Sequence, residues 1–177
     1  MRPISYNRIA HLIRSTGTNI AVSSVSDYVR YAQEAFILFS LENYASKFVE
    51  KETVKKHYFV DNGLLSIFLF NGETALLENL CAIYLHKRYG EELCYYNKNI
   101  EVDFLVVEEG YAVQASYSIY GEGMQDTFER ETKALKQLDA FLSLKRMVIV
   151  TFDEEGSIPL GNGKKIEVVP IWKWLLE

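Results

Sequence analysis

The chain has 177 residues, enough for one domain or two small ones, and its 49% hydrophobic content can build a real core. A formal charge of −5, two cysteines outside any CxxC pair and three scattered histidines exclude a disulfide scaffold and a zinc site of the usual spacing. The longest apolar patch, residues 64–70, falls far below the ~20 residues of a membrane span. Arg2, Arg8, His11 and Arg14 break up any signal-peptide pattern, so a cytoplasmic, membrane-free protein is expected.

In chain order, "SYNRIAHLIR" spaces Tyr6, Ile9, Leu12 and Ile13 as a helix does, and "SSVSDYVRYAQEAFIL" repeats the period at Val25, Tyr28, Val29 and Ala32. "FILFSLENY" and "KKHYFVD" then read as strands joined by the charged loop "ASKFVEKETV". A helix pair followed by a hairpin is the winged-helix arrangement, placed at residues 1–62. This third of the chain is basic: residues 1–57 hold eight Lys/Arg against five Asp/Glu, and 58–177 hold eleven against nineteen. Lys47, Lys51, Lys55 and Lys56 in the expected wing, with Arg30 on the second helix, are the candidates for DNA contact. Glu50 and Glu52 interleave with the lysines, and a solvated hairpin or a protein-docking module fits the same pattern.

A second unit, residues 63–177, opens after the turn signal Asp61-Asn62-Gly63. "ETALLENLCAIYLHKRY" is an amphipathic helix; strands follow at "ELCYYN", "IEVDFLVVE" and "YAVQASYSI". "QDTFERETKALKQLDAFL" is a second amphipathic helix, "RMVIVTF" a central strand, "KIEVVPI" another strand and "WKWLLE" a closing helix. The fold class is therefore α/β (α+β), with a mixed central sheet in the order αβββαβ.

Glu101 and Asp103 alternate with apolar residues along one strand, and Gln114 and Ser116 do so along the next. A two-residue turn at Glu109-Gly110 pairs Glu108 with Tyr111, sets Asp103 across from Ser116 and Leu105 across from Gln114, and gathers Asp103, Gln114 and Ser116 on one face. A three-residue turn would put Gln114 and Ser116 on the opposite face. Mg²⁺ takes one or two carboxylates plus water, so Asp103, with Glu78 on the preceding helix, is the candidate metal pair. A solvated sheet face would show the same alternation.

Taken together, "KHYFVDNGLL", "LLENLCAIYL", "EVDF" and "VQAS" resemble, in this order, the C-terminal region of unknown function behind the ATPase module of many bacterial and archaeal AAA+-type ATPases. The second half of that region is similar to the PD-(D/E)XK nuclease superfamily, a restriction-endonuclease-like fold. The resemblance implies a helix glutamate at Glu78, the strand aspartate at Asp103, and the D/E-x-K pair at Gln114 and Ser116. The first two positions match. At the last two, Gln lacks the acid's charge and Ser lacks both cation and reach, so the motif is degenerate. Lys98 or Lys133 is a candidate replacement for the missing lysine. The chain also has no phosphate loop, because "GNGKK" at 161–165 has Ile158 where the first glycine belongs. The expectation is a non-catalytic accessory module that binds DNA or a partner such as an ATPase; the alternatives are an active Mg²⁺-dependent nuclease and a purely protein-binding domain.

Overall fold

The computed structural model describes residues 1–69, 72–161 and 163–177, and the backbone alone at Phe48, Val49 and Glu52. Phe70 in the apolar patch, Asn162 in the glycine-rich turn and the Glu52 side chain in the basic loop lie outside the described residues.

Strand β1 (Ile4–Ser5) leads into α1 (Tyr6–Ser15), whose first turn is capped by the Ser5 hydroxyl accepting from Arg8 N at 3.2 Å. Helix α2 (Val22–Glu34) follows, then β2 (Leu38–Leu41), α3 (Phe48–Thr53) and β3 (Val54–Phe59). The charged loop between the expected strands thus contains a short helix. The strands form a three-stranded antiparallel sheet in the order β1-β3-β2. After β3, Asp61 caps α4 (Asn62–Ile67) by accepting from the N–H groups of Gly63 and Leu64. This helix runs into the apolar patch at 64–70, whose hydropathy does not mark it.

The remaining chain follows the expected order except for one added strand, β8 (Gly156–Pro159). Helix α5 (Glu73–Tyr89) precedes β4 (Leu93–Asn97), β5 (Glu101–Val106) and β6 (Tyr111–Ala115); α6 (Gln125–Leu142) crosses over to β7 (Arg146–Thr151). Strands β8 (Gly156–Pro159) and β9 (Lys165–Pro170) and helix α7 (Ile171–Trp174) complete it. The six-stranded sheet has the order β4-β5-β6-β7-β9-β8, parallel at β6-β7 and β7-β9 and antiparallel elsewhere, so the protein is a mixed α/β fold. Among the described residues no helix is long and apolar enough to cross a membrane.

Two apolar layers fix the sheet. On one face, Leu77, Cys81 and Leu85 of α5 and Trp174 of α7 pack on Phe104, Val113 and Val150. On the other, Leu135 and Leu138 of α6 pack on Leu105, Ala112 and Ile149. Each such side chain is worth ~1.5–3 kcal/mol when fully buried. Phe39, Leu41 and Tyr58, from the N-terminal sheet, belong to the α5 layer, so the small sheet and the large one are joined through a common core. Cys81 is fully buried and Cys94 partly so, both as free thiols.

Candidate functional site

The loop between β5 and β6 has four residues, not two. Val106 faces Tyr111, and Gly110 closes the turn at φ 59°, where an added Cβ would press on the Lys145 backbone N at 3.1 Å. Compared with the expected register, every pair slides by two residues. That slide alone would keep side-chain parity, but the ladder stops at Phe104↔Val113. Beyond it Asp103 turns to the α5 face while Gln114 stays on the α6 face with Glu131, so the expected gathering of Asp103, Gln114 and Ser116 on one face does not hold.

A bulge interrupts β5 just beyond that point. Cys94 pairs with Leu105 and Tyr96 with Val102, so Tyr95 alone faces both Asp103 and Phe104. The extra residue breaks strict alternation and lets Glu101 and Asp103 both reach the α5 side of the sheet, where Glu78 lies buried. Gln114 takes over the interrupted ladder: its Oε1 accepts from Asp103 N at 2.7 Å, and its Nε2 donates to Glu101 O at 2.9 Å and to Glu131 Oε2 at 2.7 Å. Asp103 Oδ2 accepts from Ala115 N at 3.1 Å, which locks the carboxylate across β6.

The cation of the site comes from elsewhere. Lys56 on β3 is fully buried, and its Nζ lies 2.8 Å from Asp103 Oδ1, 3.0 Å from Glu101 Oε1 and 3.6 Å from Glu78 Oε1. Burial alone would lower the ammonium's pKa, but Asp103 and Glu101 outweigh it and the net shift is upward, so Lys56 is charged. Tyr58, two residues on and on the same strand face, donates its hydroxyl to Glu78 Oε1 at 2.8 Å. The Met1 ammonium also reaches Glu78 Oε2. Burial and the Lys56 charge push its pKa down to about 6, so at neutral pH this contact counts for less than the Lys56 pairs.

Glu78, Glu101, Asp103 and Gln114 line one cleft of about 1010 Å³ together with Lys133. Ser116 is outside it: its hydroxyl donates to Ser118 O and its N–H to Val150 O, extending the β6-β7 pairing. Lys98 is not among the lining residues. Glu131, which no sequence motif marks, also belongs to the site. It accepts from both Gln114 and Arg130, and burial pushes its pKa upward despite the Arg130 hydrogen bond.

Two expectations need correction. Lys56 cannot meet phosphates from a wing, because it has no exposed surface and faces inward with Tyr58. The five basic residues also do not share one exposed face: Arg30 is ion-paired with Asp27 and Glu34, Lys55 with Glu42, Lys47 is exposed and Lys51 is half-buried. The residues present do not fit Mg²⁺ either, since the Lys56 ammonium stands between the carboxylates that would hold it. Among the described residues, no group of three or more His, Cys, Asp or Glu is arranged to hold a metal ion.

The chain is similar to MJ1544, an uncharacterized protein of Methanocaldococcus jannaschii, with 30% identity over 182 residues that cover 98% of this chain and 41% of the relative. The chain therefore spans less than half the length of that relative. No family model matches it, and no solved structure matches it.

Proposed function

We propose that this protein is a non-catalytic accessory module: a winged-helix-like segment docked on a nuclease-like sheet whose acidic site is closed by an internal cation. It acts by binding a partner. The carrying observation is the Lys56 ammonium, fully buried and in contact with Glu78, Glu101 and Asp103. The ammonium occupies the space between those carboxylates and engages all three, so a metal or a scissile phosphate would have to displace it. The αβββαβ order and the cleft beside Asp103 support the nuclease-like part of this reading.

A protein partner is favoured over DNA. The cleft carries six carboxylates, which outnumber the cations Arg2, Arg130 and Lys133 on its lining, and a phosphate backbone is repelled by such a surface. A partner ATPase, in the same polypeptide or another, fits this reading.

A second reading has its own support. Lys56 brings a lysine ammonium within 2.8 Å of Asp103, the contact an active nuclease with a relocated lysine would need. One experiment separates the two: incubation of the purified chain with supercoiled and single-stranded DNA in Mg²⁺ or Mn²⁺. The closed-site reading expects uncut DNA. Cleavage that disappears in both Asp103→Ala and Lys56→Met would establish the active nuclease instead.

A further inference from the structure

On the far side of the small sheet from β1, strand β2 has an open edge. Val60 N donates to Ile37 O at 3.1 Å, which makes Ile37 and Val60 a hydrogen-bonded pair. With Leu38↔Phe59 and Ser40↔His57 in register, the N–H and C=O groups of Leu38 and Ser40 therefore point away from β3. Phe59 agrees with this assignment: its N–H and C=O turn the other way and pair with the Asn79 side chain at 2.9 and 3.0 Å. Farther along the same edge, Glu42 O accepts from Tyr95 N at 3.0 Å and Tyr44 N donates to Tyr95 O at 2.8 Å, so β2 and β4 touch there. Toward Leu38 and Leu93 the two strands splay and enclose a groove of about 650 Å³. Among the described residues, no hydrogen bond engages the outward backbone groups of Leu38 and Ser40.

One residue at the mouth of this groove is costly to the fold. Helix α2 ends with Ile37 N on Ala32 O at 2.9 Å and Phe36 N on Gln33 O at 3.0 Å, a Schellman closure whose left-handed position favours glycine. Phe36 occupies that position at φ 54° with 81% of its surface exposed. An aromatic residue that is both strained and solvated stabilises nothing within the chain, and such outliers cluster at binding sites. The rim is acidic: Glu42, Glu91, Glu92 and Glu108 outnumber Lys51 and Lys55.

The geometry points to a docking groove for an extended segment of a partner protein. That segment adds as a strand to the Leu38–Leu41 edge, sets an apolar side chain against Phe36, and places a lysine or arginine over Glu91, Glu92 and Glu108. The inference rests on the partner-binding part of the proposed function and is independent of the cleft's chemistry. An open strand edge takes another strand through its main-chain groups, which neither a nucleic acid nor a globular surface supplies, and the rim's charge selects a basic one.

The test is selection of a random peptide library displayed on phage against the full chain. Enriched peptides are expected to alternate apolar and polar positions with a basic residue. Their affinity should fall by about tenfold or more in Phe36→Gly and in the Glu91→Lys/Glu92→Lys double variant, and stay unchanged in Lys133→Ser in the other cleft. Phe36→Gly should at the same time raise the thermal midpoint, so lost binding is not lost folding. No enrichment, or enriched peptides bound equally by these variants, overturns the proposal. So does a concentration-dependent dimer abolished by Phe36→Gly, which would make a second copy the occupant. Uncut DNA without enrichment removes this inference and keeps the closed site; cut DNA with groove-dependent enrichment does the reverse.

Discussion

Gln114 holds the interrupted ladder together with one acceptor and two donors, each engaged. The PD-(D/E)XK pattern asks for an acid here, and that acid would be wrong for this backbone. Gln114→Glu removes both donors, leaves Glu101 O without its hydrogen bond and sets a third carboxylate beside Asp103 and Glu131. We expect a loss of about 3 kcal/mol in urea unfolding and no gain of nuclease activity, since a buried unsatisfied group costs ~1–3 kcal/mol before repulsion is added. A variant as stable as the parent would refute the structural role. The acidic half of the site was legible in the sequence, because Glu78 and Asp103 do meet in one cleft. Lys56 belongs to the site and not to a wing, and alternation carries the clue: it faces inward with Tyr58, and a charge inward on a strand calls for buried partners. One of those partners, Asp103, lies 47 residues away, and a local period carries no such information.

The long periodic elements could be read closely from the sequence. The string proposed for α6 is the helix found, and α5 coincides likewise. What escaped were the short elements and the bulge. Strand β8 is largely exposed and begins with a glycine, α4 hides in an apolar patch, and the extra residue at Asp103 and Phe104 leaves no mark on hydropathy. Between β2 and β3, the Ser40 hydroxyl and His57 Nδ1 lie 2.7 Å apart across the pair. Burial, with a further push from Lys55, lowers the His57 pKa to about 4, so the fold holds the neutral ring. The unfolded chain takes up this proton near its ordinary value of about 6.5 and the fold resists it. The contribution is therefore complete above about pH 6.5 and lost as pH falls toward 4, amounting to about 3 kcal/mol. Denaturation midpoints of parent and His57→Gln should diverge near pH 7 and converge near pH 4. A gap independent of pH would show that the ring is not the titrating group.

For the whole molecule, the joint between the two sheets matters more than either sheet. Phe39, Leu41 and Tyr58 enter the core beneath α5, and Lys56 enters the carboxylates beyond it. Unfolding should therefore be a single transition by both tyrosine fluorescence and circular dichroism. Lys56→Met would strand three carboxylates without their cation and lower stability by about 3–5 kcal/mol, the usual cost of breaking a buried ion pair. Two separated transitions in the parent, or a Lys56→Met chain of undiminished stability, would show that the sheets fold independently.

The Asn79 side chain that satisfies both backbone groups of Phe59 has a consequence for how copies of the protein can stack. It stands in for a missing neighbour strand beyond the two residues of β1. The other margins are blunted too: β8 begins with Gly156 and ends in Pro159, and Tyr95 of β4 is tied to Glu42 and Tyr44. A fibre needs two adhesive margins on every subunit, so that each addition exposes the next. With Leu38–Leu41 as its one adhesive margin among the described residues, this molecule can accept one strand or form a two-fold pair, after which growth has nowhere to continue.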